Sequence, residues 1–286
     1  MNHHGELLEE RGLSQSIFDW VADWGAVVIE GFTTLGELVM FSTQTLTWMI
    51  TRPPRMKLLT PSLYQVGVLR LPVVALTGTF IGMVLAVQSY SQLKTLGLQT
   101  RMGAVINFGL VRELGPVLAA TMLAGRVGSS MAAELGSMRV TEQIDALDGM
   151  GINPIQHLVV PRFLACFLMI PVLTIMADFM GIVGGYFFSV LALGIDKHHY
   201  WANSQQYVGT WDLFNGIFKS FSFGAAIALI SCHRGFNCGA GAQGVARATI
   251  ASFVYSFVMI LVLDLFLNLG LDAFYHSNWP AASPGL

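Results

Sequence analysis

Charge is what this chain has least of. Of its 286 residues only 11% are Asp, Glu, Lys or Arg, against roughly a quarter in a soluble domain. With 54% hydrophobic residues, it cannot clothe a large water-facing surface, which places it among polytopic membrane proteins. Cysteines are equally scarce. Cys166, Cys232 and Cys238 are too few for a disulfide framework, and two of them lie in or beside apolar runs. A formal net charge of -2 supplies no basic surface and argues against nucleic acid as a partner. The stretch Met1 to Arg11 has no basic n-region, so no secretory signal peptide is expected. Catalytic signatures are missing too: there is no Gly-x-Ser-x-Gly elbow, no His-Glu-x-x-His and no Gly-x-x-x-x-Gly-Lys-Ser/Thr loop. The chain is therefore expected to bind no ATP by a P-loop and to be no enzyme. Asp196-Lys197-His198-His199 and Cys232-His233 with Cys238 are incomplete ligand sets, and no metal is expected.

What is present is long apolar runs. Five segments reach the roughly 20 residues a helix needs to cross a hydrocarbon core: 66–92, 102–127, 156–182, 211–233 and 245–270. Only the first is free of charge, from Leu71 to Leu93, and the apolar stretch 183–193 is expected to extend the third. With the N-terminus inside, nine of the 15 basic residues fall in inner segments and three (Lys94, Arg101, Lys197) in outer ones. This positive-inside bias predicts a cytoplasmic N-terminus and a C-terminus on the outer side. The segment Leu193–Asp212, carrying Trp201, Tyr207 and Trp211, reads as an outer interface loop.

Residues 14–50 are ambiguous. Asp19, Asp23, Glu30 and Glu37 form one acidic line on a helical wheel, down a body that holds Phe18, Trp20, Trp24, Phe32 and Trp48. A sixth span would bury this line. A helix lying along the membrane surface hydrates all four carboxylates and is the preferred reading, with Arg52-Pro53-Pro54-Arg55 ending it.

Between the second and third spans lies Arg139-Val140-Thr141-Glu142-Gln143-Ile144-Asp145-Ala146-Leu147-Asp148. As a helix it gathers Val140, Ile144 and Leu147 on one stripe and Glu142, Asp145 and Asp148 on the other side. Such a helix, tethered between spans and facing the cell interior, suits docking into a groove on a soluble partner.

Four of the five spans also carry ionisable residues at depth: Arg112 and Glu113, Asp178, Lys219 and Asp264. Each costs about 2.5–3.5 kcal/mol at mid-bilayer on insertion scales, so each is expected to pair or to face a polar interior. Two readings stay open, ion pairs that fix packing and a charged lining that meets a polar head group. For the second, Arg112 is the first candidate for a phosphate, which a guanidinium binds bidentately. Being adjacent, Arg112 and Glu113 are expected to point about 100° apart and not to serve one partner. For Asp178, near the outer end, simple solvation is a further reading. Small residues recur at helix-packing spacing in Gly78-x-x-x-Gly82, Gly181-x-x-x-Gly185 and the run Ala120, Ala124, Gly128, Ala132. Packing within the chain is the favoured use of such stripes, with a subunit interface the alternative.

With these residues in hand, the chain resembles the MlaE-type permeases, membrane subunits of ABC transporters that move lipids together with MCE-domain proteins. The resemblance runs over roughly residues 15–270. It rests on Val111-Arg112-Glu113-Leu114-Gly115-Pro116-Val117, on Ala124-Gly125-Arg126-Val127-Gly128-Ser129 with Ala133-Glu134-Leu135-Gly136, and on Met138 through Leu147. Asn153-Pro154, Pro161-Arg162-Phe163, Gly244-Val245-Ala246-Arg247-Ala248-Thr249 and Leu263-Asp264 complete it.

The resemblance implies an all-α fold with an N-terminal interfacial helix, five spans and a cytoplasmic coupling helix at 137–150. It divides the chain into a tail (1–13), the interfacial helix (14–52), a permease domain (53–275) and a periplasmic tail (276–286). Implied too are a homodimer in a bacterial inner membrane, two cytoplasmic ABC ATPase subunits that carry ATP and Mg, and a periplasmic hexamer of MCE-domain subunits with transmembrane anchors. In some systems a cytoplasmic STAS-domain subunit joins them. The implied substrate is phospholipid or another hydrophobic lipid, exchanged between inner membrane and outer envelope to maintain outer-membrane lipid asymmetry, and no cofactor is bound by this chain. Arg112, Glu113, Lys219 and Asp264, with Gln88 and Tyr90 at the outer end of the first span, become lipid-path candidates. Glu134, Arg139, Glu142, Gln143, Ile144, Asp145 and Leu147 become the expected ATPase contacts. Two other classes compete. A secondary transporter or channel would use the buried charges as an ion path, but the chain shows no paired broken helices in matching halves. A membrane scaffold would recruit a partner and transport nothing.

Overall fold

Each of the five apolar segments forms a helix, and each helix overshoots the segment. In the computed structural model, which describes residues 31–51 and 56–278 together with Trp20, Gly25 and Ile29, five helices are long and apolar enough to cross a membrane. They cover Met56–Thr95, Gln99–Val140, Ile155–Ala192, Thr210–Phe236 and Gly241–Ser277. No strand occurs among the described residues. The protein is an all-α, multi-pass membrane protein.

Residues 31–51 form helix α1, which is not among the spans. Most of the expected acidic line (Asp19, Asp23, Glu30), the N-terminal tail and the Arg52–Arg55 stop lie outside the described residues. The first span comprises α2 (Met56–Val66) and α3 (Leu71–Thr95), with Pro72 opening α3. The second is built from α4 (Met102–Gly109), α5 (Gly115–Leu123) and α6 (Ser129–Val140), joined by π-helical turns at Leu110–Leu114 and Ala124–Gly128. A short helix α7 (Gln143–Gly149) follows, then α8 (Val160–Phe187), prolonged by a π-helical turn to Ala192 as the 183–193 stretch led one to expect. Helices α9 (Lys197–Tyr207), α10 (Thr210–Phe236) and α11 (Gly241–Asn278) complete the order.

The core lies where α5, α6, α8 and α10 meet, around Leu123, Leu135, Phe163, Ile170, Leu173, Phe223 and Ile227. Helices α3 and α11 stand at the rim and leave most of their apolar side chains uncovered. The two glycine stripes are used on each other. A Cβ on Gly82 would stand 1.9 Å from the Gly181 carbonyl oxygen, and one on Gly184 would stand 2.3 Å from that of Thr79. The α3–α8 seam is thus a backbone-to-backbone contact that only glycine permits. The third stripe is likewise internal. Ala120, Ala124 and Ala132 are fully buried, and a Cβ on Gly128 would meet Ser231 and Ser252.

Three readings of the sequence are corrected. The region read as an outer interface loop holds helix α9. Asp196 caps it by accepting a hydrogen bond from the His198 N–H at 3.2 Å. Tyr200, fully buried, donates to Asn107 Oδ1 at 3.3 Å, and Asn107 donates to Ser204 Oγ at 2.8 Å. This polar clasp fixes α9 on α4, and burial pushes the Tyr200 hydroxyl up to about 12. Trp201 and Tyr207 remain partly exposed, as an interface belt requires. Secondly, Asp178 is buried rather than solvated. It faces Gly115, and its Oδ1 has no hydrogen-bond partner. Finally, α11 runs through Asn278, so the start of the expected tail at 276 is still helix.

Candidate functional site

The deep charges of three different spans converge. Pro116 has no N–H with which to reach the carbonyl of Arg112 four residues back, and its ring crowds that position. The chain answers with the π-helical turn Leu110–Leu114, in which Gly115 N–H donates to the Leu110 carbonyl instead. The stranded Arg112 carbonyl accepts a hydrogen bond from Lys219 Nζ of α10 at 3.3 Å. The same ammonium lies 3.1 Å from Glu113 Oε2 and 3.2 Å from Asp264 Oδ1 of α11. Lys219 is 0% exposed, and three oxygens replace its lost hydration. Asn268, one turn beyond Asp264, donates to Glu113 Oε2 at 3.0 Å and to Asp264 Oδ2 at 3.3 Å.

Arg112 extends the network toward the far ends of α10 and α11. Its guanidinium pairs with Asp272, lies 3.5 Å from Asp212 Oδ1 and 3.8 Å from Glu113 Oε1, and sits over the Phe108 ring at 5.4 Å. Asp264, Asn268 and Asp272 recur every four residues and so share one face of α11, while Asp212, Asn215 and Lys219 share one of α10. Asn215 is wholly buried, and neither amide atom has a hydrogen-bond partner. Close approach of α10 to the π-helical turn depends on Gly216, where a Cβ would stand 2.5 Å from the Val111 carbonyl oxygen.

Four of the lipid-path candidates, Arg112, Glu113, Lys219 and Asp264, therefore form one site. Arg112 and Glu113 do not both turn their side chains to Lys219: Glu113 offers it a carboxylate, whereas Arg112 offers only its backbone carbonyl. Gln88 and Tyr90 are not brought in. They lie on α3, which packs on α8 and α4. Gln88 is exposed, and Tyr90 packs beside Leu93 and Tyr200, with Lys94 Nζ 5.6 Å over its ring. Asp212, Asn268 and Asp272 are members that sequence reasoning missed. The four-residue spacing on α11 was the available signal.

The segment between the second and third spans is not one helix at 137–150. Helix α6 ends at Val140, and Glu142 turns left-handed at φ 59°, the only non-glycine residue with positive φ among those described. The bend points the apolar side of α7 inward. Ile144 is 4% exposed, and Leu147 packs on the main core, so two residues of the stripe expected to enter a partner's groove close the chain's own interior, while Val140 stays exposed. Arg139 pairs with Asp145 across the bend. Arg162 of α8 reaches Glu134 of α6 at 3.3 Å. The outward side carries Glu142, Gln143, Asp145 and Asp148, with Met150 and Ile152 exposed beside them. Those two apolar residues were not anticipated.

A bundle of five apolar helices with an internal ion network and an exposed acidic elbow defines a helical membrane protein of the transporter type, without a nucleotide-binding loop in its sequence. The model of the family Permease MlaE matches residues 59–269, and the chain belongs to that family. Among its relatives, a probable ABC transporter permease protein of Rickettsia bellii is 40% identical over 235 residues, covering 82% of this chain and 91% of that one. A probable ABC transporter permease protein of Synechocystis is 41% identical over 204 residues, 71% of this chain and 78% of the other. The intermembrane phospholipid transport system permease protein MlaE of Haemophilus influenzae is 34% identical over 258 residues, 88% and 97% of the two chains.

Proposed function

We propose that this chain is the membrane-spanning subunit of an ABC transporter that moves phospholipid between the inner membrane and a periplasmic MCE-domain partner, with no catalytic step of its own. Coverage of 97% of the phospholipid permease from Haemophilus supports the substrate class. The observation that carries the power-coupling half is the elbow: an acidic, solvent-facing α7 whose other side is anchored in the core by Ile144 and Leu147. A separate ATPase, holding ATP and Mg, docks on Glu142, Gln143, Asp145 and Asp148, and two copies of the permease face each other with one ATPase each. The N-terminus and this elbow are cytoplasmic, α1 lies along the inner interface, and the C-terminus is periplasmic. A STAS-domain subunit on the ATPase is compatible with this layout.

Around the ion network the chemistry is that of a zwitterion. Four carboxylates (Glu113, Asp212, Asp264, Asp272) surround two cations (Arg112, Lys219). A bare phosphate would have to displace a carboxylate from Arg112, whereas a head group bearing both charges offers an ammonium in exchange. Lipid that binds two states of the permease with different affinity is carried when nucleotide turnover shifts those states. The reading is tested by reconstituting the full complex into donor vesicles with labelled phospholipid and following its appearance on the MCE partner or in acceptor vesicles. Transfer that requires hydrolysable ATP is expected. Transfer driven by an ion gradient and indifferent to nucleotide would replace this reading with a secondary carrier, and no transfer under any condition would leave a scaffold.

A further inference from the structure

Away from the ion network, α1, α10 and α11 enclose a cleft of about 440 Å³, within the size range of small-ligand sites. Its flanks are apolar, with Leu35 and Leu38 from α1 facing Val258 and Val262 from α11. Its polar end is different. Arg234, in the last turn of α10, lies 4.1 Å above the ring of Tyr255. No carboxylate of the described residues stands within ion-pair reach of it, whereas Arg112 and Lys219, the two cations of the ion network, each have at least two. Glu37 of α1 is directed instead at His233, at 3.9 Å. His233 is itself buried and shares its Nε2 with the Asn237 amide at 3.0 Å.

A guanidinium held on an aromatic face, with no carboxylate partner among the described residues and an apolar channel leading from it, matches a ligand with one anionic end and one apolar tail. Basic pockets between spans take anionic lipid head groups in this way. We propose that the cleft is a second lipid site, holding one anionic phospholipid of the surrounding bilayer with its phosphate on Arg234 and an acyl chain between Leu35, Leu38, Val258 and Val262. Because α1 supplies one wall, the bound lipid also fastens α1 to the bundle. The site uses no residue of the ion network and stands or falls independently of the transport reading.

Native mass spectrometry of the full chain, released from micelles doped with phosphatidylglycerol or with phosphatidylcholine, tests it. The unaltered chain is expected to keep one phosphatidylglycerol that Arg234→Gln binds about ten-fold more weakly, the loss of one charge-assisted hydrogen bond. Leu38→Trp, which fills the cleft and leaves the cation in place, is expected to lose the adduct as well, and serves alone should the Arg234 variant not fold. Arg112→Ala should keep it, which separates this site from the network. Equal retention of phosphatidylglycerol by both cleft variants, or equal retention of the two lipids by the Arg112→Ala chain, would overturn the proposal. So would cross-linking of a cysteine at Val258 to a partner polypeptide rather than to lipid in the assembled complex.

Discussion

Lys219 and Arg112 look alike in sequence, each a cation in an apolar run, yet the structure gives them different work. Lys219 has no exposed surface and fills a backbone defect as well as neutralising two carboxylates. Lys219→Met should lower stability by about 1–3 kcal/mol, because the half-buried Glu113 and Asp264 lose their shared cation and the Arg112 carbonyl loses its donor. A depressed thermal midpoint in detergent, partly restored by adding Asp264→Asn, is the expected record. Arg112 keeps 22% of its side chain exposed and leans on the half-exposed Asp272. Arg112→Ala is expected to keep the fold and to reduce the phospholipid recovered with the purified complex; undiminished lipid in a folded variant assigns Arg112 to packing alone. Arg112, Glu113, Lys219 and Asp264 were legible because a charge inside an apolar run stands out. Asp212 and Asp272 were not, since a carboxylate near a span end is unremarkable and the register between α10 and α11 is set by packing.

Among the elements, the glycine seam and the elbow make opposite demands. At Gly82 any side chain collides with a carbonyl that cannot step aside, so Gly82→Val should cost about 1–3 kcal/mol or more. Gly36→Ala on α1, where nothing lies within 4 Å, should shift the unfolding midpoint little in the same assay. The elbow, by contrast, presents its variable chemistry outward. Asp145→Arg sacrifices one exposed ion pair with Arg139, worth little to the fold, and reverses charge where the ATPase is proposed to sit. Loss of ATPase from the purified complex with a normal permease elution profile is expected, and full ATPase recovery would remove α7 from the docking surface. Heptad-like spacing made the amphipathic character of this segment visible. Nothing in the spacing said that the apolar side would turn homeward, because that depends on the left-handed residue at Glu142.

For the molecule as a whole, five spans were legible because twenty-residue apolar runs have few other uses in a chain so short of charge. Helix α9 was hidden, being polar, eleven residues long and held by a buried Asn107–Tyr200–Ser204 clasp whose partners are far apart in sequence. The pairing of Gly78 and Gly82 with the Gly181 region was anticipated as packing within the chain, and it removes both stripes from any subunit interface. The spans containing α3 and α11 are the least covered of the five, and lipid or the second copy of the proposed dimer would lie there.

Glu142 has a mechanical consequence. A left-handed turn at a residue with a Cβ costs roughly 1–2 kcal/mol, and glycine would adopt it freely. Glycine would also swivel. The left-handed well of a side-chain-bearing residue is narrow, so the corner between α6 and α7 is stiffer than a glycine corner would be, and the Glu134–Arg162 pair ties α6 just before that corner to α8.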